Sequence, residues 1–193
     1  MSFSIPCVIF AGGKSSRMGE DKSLLPFGGF ETLTEFQYKR LGKLFSHVYI
    51  STKTKDKFRF EASFIEDPKT TDTFAPTAGF VAAFESLACE AFFAISVDAP
   101  FVDANVIEAL LNEHAKHPQA DAVIARSPEG MEPMCGIYCR SLQSEFKKML
   151  AQENHKLGML LKGANTHFVN FENSEPFMNL NHPHEYQEAL GRL

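Results

Sequence analysis

The stretch FAGGKSSRMGEDK, Phe10 to Lys22, overlaps the end of a short apolar run, Cys7 to Ala11, and decides how the chain is interpreted. A continuous apolar run of this length is typical of a strand that is buried on both faces of a parallel sheet. The stretch itself holds three glycines, two serines and three basic side chains. Because ligands of parallel sheets bind beyond the carboxyl ends of the strands, this loop lies where backbone N–H groups can face phosphate oxygens.

The loop differs from two common phosphate-binding loops. A Walker A motif needs a glycine five residues before its Gly-Lys-Ser, and Val8 stands there. A dinucleotide fingerprint needs separated glycines, whereas Gly12 and Gly13 are adjacent. The loop carries three cations within nine residues: Lys14, Arg17 and Lys22. Such a cluster can oppose the charge of a triphosphate, although a solvated basic loop with a glycine turn is an alternative interpretation.

The composition argues against a nucleic-acid-binding or membrane protein and against a zinc site. The 193 residues carry a net charge of −5, which gives no overall basic field to attract nucleic acid or an anionic membrane. The four cysteines lack the paired spacing of a zinc site and sit mostly in apolar runs, which indicates reduced thiols. The first apolar run is too short for a signal or membrane helix, so we expect a cytoplasmic protein.

Strand and helix patterns alternate along most of the chain, and this alternation predicts βαβ units on a parallel sheet. The predicted strands are residues 7–11, 47–52, 62–65, 91–97, 133–139 and 167–170. The predicted helices are 34–45, 77–88, 103–116, 141–151 and 183–193, with Asp103 as an N-cap. We therefore expect a single α/β domain over residues 1–193. It should have a three-layer αβα arrangement around a Rossmann-like, mostly parallel sheet.

Four motifs, in the same order along the chain, resemble those of a known family. Ala11 to Lys22 reads A-G-G-x-S-x-R-M-G-x-D-K, which resembles the signature of nucleotidyltransferases with the nucleoside-diphospho-sugar transferase fold. Within them it is most similar to the MobA family of molybdenum cofactor guanylyltransferases. The resemblance continues through Ile95–Phe101 (ISVDAPF), Glu132–Tyr138 (EPMCGIY) and Asn179–Tyr186 (NLNHPHEY).

The resemblance implies transfer of GMP from GTP to the phosphate of molybdopterin, with Mg²⁺ as cofactor and pyrophosphate as the second product. It implies nucleotide contacts from Lys22 and from the backbone of Phe10, Ala11 and Gly12 at the end of the first strand, and we extend these contacts to Gly13. It also implies that Asp98 is a Mg²⁺ ligand. We assign Arg17 to the leaving pyrophosphate and Lys22 to transition-state charge; the substrate phosphate is itself the nucleophile, so none is needed from the protein.

The resemblance implies base recognition at Asp67, since family members carry a nucleotide-binding aspartate there in a similar Glu-Asp context. A carboxylate suits this role because it can accept hydrogen bonds from guanine N1–H and N2–H together. An ordinary turn residue before Pro68 is the alternative for this aspartate. Ser51 stands where some family members place an asparagine that contacts the nucleotide, and a hydroxyl could replace part of that contact. Gly79 closes an imperfect match, residues 75–79, to a further nucleotide-binding loop of the family.

Glu132, Asn179 and Asn181 are candidates for the pterin pocket or for the metal shell, although the two asparagines could simply form the turn before Pro183. This assignment divides the domain into a nucleotide-binding part, residues 1–125, and a pterin-substrate part, residues 126–193. Molybdoenzyme maturation proteins are possible partners. Two other functions stay open: a cytidylyltransferase for molybdopterin or another small phosphate, and a non-catalytic protein that binds nucleotide or cofactor.

Overall fold

The computed structural model describes residues 3–13, 19–67 and 76–193. The described residues form a seven-stranded sheet. In chain order its strands are β1 Cys7–Phe10, β2 Val48–Thr52, β3 Ser63–Glu66, β4 Ala91–Ser96, β5 Ala122–Ser127, β6 Gly130–Cys139 and β7 Thr166–Asn170. The helices are α1 Leu33–Leu41, α2 Pro76–Ser86, α3 Ala104–Lys116, α4 Gln143–Ala151, α5 Leu157–Gly163 and α6 Pro183–Leu190.

The strand order is β3-β2-β1-β4-β6-β5-β7, and β6 alone runs antiparallel to its neighbours. Strand β1 lies between β2 and β4 and is parallel to both. The chain therefore winds outward from β1 to β3 and then returns to β4 on the other side, which creates a switch point between β1 and β4. Phe10 pairs with Ser96 across this point. As a result, the segments that follow β1 and β4 leave the sheet side by side.

Each face of the sheet carries its own helical layer. Cys7 and Ile9 of β1 belong to one apolar cluster, with residues of α1, α3 and α6. Val8 and Phe10 belong to the other, with residues of α2, α4 and α5. Since successive strand side chains point to opposite faces, both sides of β1 must be covered, and both are. The predicted three-layer αβα fold with a mostly parallel sheet is confirmed.

Several predicted boundaries differ from those observed. The predicted helix 34–45 starts one residue earlier and ends at Leu41, where Gly42 is the C-cap. The closing helix ends at Leu190 rather than at residue 193. Strand β5 and helix α5 were not predicted as elements. Asp103 is confirmed as an N-cap, because its carboxylate accepts a hydrogen bond from the Val106 N–H at 3.0 Å.

Four short 3₁₀ turns join the larger elements: Lys22–Leu24, Lys55–Lys57, Arg140–Leu142 and Glu175–Phe177. The first two flank the carboxyl ends of β1 and β2 and carry side chains of the candidate site. All four cysteines are free thiols. Within residues 3–13, 19–67 and 76–193, no helix is both long enough and apolar enough to cross a membrane.

Candidate active site

The carboxyl end of β1 is tied to both neighbouring strands. The Ala11 N–H donates to the Ser51 carbonyl of β2 at 2.8 Å, and the Val97 N–H donates to the Phe10 carbonyl at 3.1 Å. The loop then continues through Gly12 and Gly13, which lie within the described residues. The predicted contact of Arg17 with pyrophosphate falls in residues 14–18 and so lies outside them, as does Lys14.

Three predicted site residues from distant parts of the chain meet beside this loop. The Lys22 ammonium forms an ion pair with Asp98 Oδ2 and donates to Asn181 Oδ1 at 3.0 Å. The Ser96 hydroxyl donates to the other carboxylate oxygen, Oδ1 of Asp98. The Lys22 and Asp98 side chains are 13% and 12% exposed, so the pair is largely shielded from water. This arrangement places one cation and several oxygen atoms at the switch point of the sheet.

The segment that carries the two asparagines is held against this cluster by its backbone. The Leu180 N–H donates to the Asp98 carbonyl at 2.9 Å. The Asn181 and His182 N–H groups both donate to Glu185 Oε2, at 2.6 and 2.7 Å. Glu185 thereby completes a capping box at the start of α6. The extended segment before α6 is consequently fixed at the carboxyl end of β4.

One open pocket, which we call the loop-side pocket, has a volume of about 440 Å³. It is lined by Phe10, Gly12, Gly13, Ser51, Asp67, Pro76, Gly79, Ser96 and Met134. The Ser51 hydroxyl donates to Asp67 Oδ1 at 3.4 Å. Desolvation raises the pKa of Asp67, while the Ser51 hydrogen bond and the charge of Lys53 oppose that rise. The pocket therefore presents a partly desolvated carboxylate, whose charged form is a strong hydrogen-bond acceptor.

Gly79 allows the first turn of α2 to lie directly on the pocket wall. A Cβ atom at this position would lie 2.6 Å from Ser51 Oγ and 3.0 Å from the Phe10 ring. No larger side chain fits without moving one of these two residues. The role of Gly79 is thus the close approach of α2 to β1 and β2.

A second pocket, the hairpin-side pocket, lies against the β5–β6 hairpin and has a volume of about 600 Å³. Its lining includes Asp98, Glu132, Asn179 and Asn181, together with Ala99, Val102, Pro133, Cys135 and Phe177. Ser96 and Met134 line both pockets. Two ligands could therefore meet across this shared wall, beside the Lys22–Asp98 pair.

Glu132 lies in the hairpin-side pocket as an acceptor. The Ser127 hydroxyl donates to Glu132 Oε1 at 2.8 Å. Desolvation raises the pKa of Glu132; the Ser127 hydrogen bond lowers it, and the charge of Glu129 raises it further. A half-buried carboxylate with one oxygen engaged leaves the other for a ligand N–H.

Among the residues of this region that sequence reasoning missed are Lys57, Ser96 and Met134. Lys57 donates to the Ala11 carbonyl, to Asp21 Oδ2 and to the Ser23 hydroxyl. Nothing near Lys57 in the sequence marks it, since Lys53 and Lys55 precede it at similar spacing. Met134 lies within the Glu132–Tyr138 motif, at a position where the motif allows different residues. Only the fold shows that Met134 lines both pockets.

Residues 7–168 match the model of the MobA-like NTP transferase domain. A relative from Campylobacter jejuni, named molybdenum cofactor guanylyltransferase, is 36% identical over 187 residues. The aligned residues cover 97% of this chain and 96% of the relative. A protein of the same name from Helicobacter pylori strain G27 is 33% identical over 192 residues, with 97% and 92% covered.

Solved structures share the fold. A crystal structure of molybdopterin-guanine dinucleotide biosynthesis protein A from Archaeoglobus fulgidus has a TM-score of 0.82 at 21% identity, covering 97% of this chain and 98% of that one. A CMP:2-keto-3-deoxy-manno-octonic acid synthetase complexed with CTP has a TM-score of 0.78 at 14% identity, covering 99% and 98%. At these identities the structural likeness concerns the fold alone.

Proposed function

Because the chain belongs to the MobA-like NTP transferases, a family of nucleotidyltransferases, we propose that it is a molybdenum cofactor guanylyltransferase. In this reaction the phosphate of molybdopterin attacks the α-phosphorus of GTP. A P–O bond to the cofactor forms, the bond to the leaving pyrophosphate breaks, and molybdopterin guanine dinucleotide results. The observation that carries the proposal is the pair of pockets that share Ser96 and Met134 beside Lys22 and Asp98.

GTP is assigned to the loop-side pocket. Gly12 and Gly13 expose backbone at the carboxyl end of β1, as a phosphate cradle requires, whereas Ala11 uses its N–H and C=O within the protein. Asp67 is the acceptor for guanine N1–H and N2–H, and Ser51 orients its carboxylate. Lys22 supplies positive charge where the transition state gains negative charge. Arg17 keeps its predicted contact with the leaving pyrophosphate.

Mg²⁺ is assigned to the oxygen atoms beside Lys22. Hard oxygen ligands suit this ion, and the Asp98 carboxylate and the Asn181 amide oxygen already converge on one cation, the Lys22 ammonium. The donor set therefore fits Mg²⁺, which would neutralise phosphate charge when bound. Ser96 holds the Asp98 carboxylate in place through its hydroxyl.

Molybdopterin is assigned to the hairpin-side pocket, with Glu132, Asn179 and Asn181 as contacts. A pterin ring carries adjacent N–H donors, and the half-buried Glu132 carboxylate is a matching acceptor. We keep the division of the domain into residues 1–125 for nucleotide and 126–193 for pterin as a proposal. Met134 crosses it into the loop-side pocket, and four residues cross it into the hairpin-side pocket: Ser96, Asp98, Ala99 and Val102. A cytoplasmic location and delivery to maturation proteins stay predictions.

The proposal is tested first by nucleotide selectivity. The thermal midpoint is measured with Mg²⁺ and each of GTP, CTP, ATP and UTP. A ligand that binds only the native state at 100 times its Kd stabilises it by about 2.7 kcal/mol, which corresponds to a rise of about 5–11 °C for this chain length. A rise for GTP that is lost in Asp67→Asn supports the guanylyl assignment. A rise for CTP alone would favour the cytidylyl alternative, and GTP binding without turnover would favour the non-catalytic one.

A further inference from the structure

Lys57 joins three segments of the candidate site through one ammonium group. Its Nζ lies 3.2 Å from the Ala11 carbonyl oxygen, 2.8 Å from Asp21 Oδ2 and 2.9 Å from Ser23 Oγ. Ala11 follows β1, Asp21 and Ser23 flank Lys22, and Lys57 ends the 3₁₀ turn after β2. The Lys57 side chain is only 23% exposed. A lysine has three N–H donors, and here protein oxygens can use all three.

Asp21 is held at both of its carboxylate oxygens. Oδ1 accepts from the Ser23 N–H at 3.0 Å and from the Ser23 hydroxyl at 2.6 Å, which caps the turn Lys22–Leu24. Oδ2 accepts from Lys57. Partial burial would raise the pKa of Asp21, but the hydrogen bonds from Lys57 and Ser23 and the charge of Lys57 outweigh it, so the pKa is lowered. The carboxylate is therefore a fixed anion on the residue directly before Lys22.

We propose that Lys57 is a positioning residue for nucleotidyl transfer. It fastens the Asp21–Ser23 turn to the carboxyl end of β1, and this holds the backbone from which Lys22 reaches Asp98 and Asn181. Its ammonium is engaged with protein oxygens, so it acts through Lys22 rather than on the substrate. The inference rests on the proposed function, in which Lys22 faces the reacting phosphates.

The matched variants are Lys57→Met and Lys55→Met. Both remove one ammonium from the same short turn, but Lys55 is 55% exposed and pairs only loosely with Glu66, at 3.6 Å. Since misplacing a catalytic group by about 1 Å can cost about 100-fold in rate, we expect Lys57→Met to lower kcat by about 10- to 100-fold. The KM for GTP should change less than about threefold, because Lys57 makes no substrate contact. Lys55→Met should keep kcat within about twofold, and Lys57→Arg should restore part of the loss because Arg also pairs with a carboxylate.

A purely structural role would give a different result. It predicts a lower thermal midpoint for Lys57→Met, with normal kcat per folded molecule below that midpoint. A kcat of Lys57→Met within twofold of wild type overturns the proposal, as does a loss fully explained by unfolding. Absence of GTP turnover in the wild type would instead refute the proposed function.

A readout without turnover keeps the two failures apart. The side-chain ammonium of Lys22 should give a slowly exchanging NMR signal, because Asp98 and Asn181 hold it away from water. We expect Lys57→Met to broaden or remove this signal and Lys55→Met to preserve it. An unchanged Lys22 signal in Lys57→Met overturns the positioning role whether or not the enzyme turns over.

Discussion

Replacing Lys22 by methionine is expected to destabilise the native protein by about 3 kcal/mol. The ammonium is the ion-pair partner of Asp98, and the two side chains are 13% and 12% exposed. Removing one partner of a buried pair typically costs about 3–5 kcal/mol, because the remaining charge is left desolvated. Asp98 keeps the Ser96 hydroxyl as a donor, which places the expected cost at the lower end of that range. For a chain of this length the midpoint should then fall by about 6–12 °C.

The assay is urea unfolding followed by circular dichroism, for wild type, Lys22→Met, Asp98→Asn and the double variant. A neutral amide at residue 98 needs no cation, so the double variant should be more stable than Lys22→Met alone. The coupling free energy of this cycle should be about 2 kcal/mol, within the range for residues in direct contact. The free energy of unfolding should fall with urea concentration at the same slope in all four proteins, so that differences in the midpoint report differences in stability.

A Lys22→Met protein that unfolds at the wild-type midpoint would contradict the expected loss of stability. So would a coupling below about 0.5 kcal/mol, which is typical of residues that do not interact. Either result would mean that Asp98 is satisfied without Lys22. The assignment of Lys22 as the residue that balances the carboxylate before Mg²⁺ binds would then fail.

Three other predictions concern the pockets and the metal. Desolvation raises the pKa of Asp67 above its ordinary 3.8, so as the pH is lowered Asp67 becomes protonated and GTP binding should weaken before pH 3.8 is reached. Calorimetric titration with GTP should show this loss for the wild type, and weak binding without this pH dependence for Asp67→Asn. Gly79→Ala should destabilise the native protein by about 1 kcal/mol, since overpacking against Ser51 outweighs the gain in helix propensity. The control Gly163→Ala, whose Cβ meets nothing within 4 Å, should not destabilise it. Equal unfolding midpoints for the two variants would contradict this expectation. Chelation with EDTA should abolish pyrophosphate release and Mg²⁺ should restore it, whereas turnover that persists in EDTA would refute metal dependence.

The fold was predictable where burial leaves a simple pattern. Runs such as Ala91–Ser96 are apolar on both faces, because helices cover both sides of the sheet. Strand β5 was missed because its apolar start continues into Arg126, and its hairpin partner is antiparallel in an otherwise parallel pattern. Helix α5 has seven residues, too few for a helical period to stand out.

The site was predictable only in part. The motifs pointed to Lys22, Asp98 and Asn181, and the switch point of the sheet brings these three together. The role of Lys57 could not be predicted, because its three acceptors come from segments far away in the sequence. Such contacts depend on how the turns after β1 and β2 pack, and no local pattern encodes that packing.

In the proposed function, guanylyl transfer takes place between the two pockets. The most direct measurement is pyrophosphate release by the purified wild-type protein with molybdopterin and Mg²⁺, with GTP or CTP as donor and mass spectrometry of the pterin product. We expect release with GTP, formation of molybdopterin guanine dinucleotide, and loss of both in Asp98→Ala. Release with CTP and not GTP, or no release with either donor although GTP binds, would contradict this expectation.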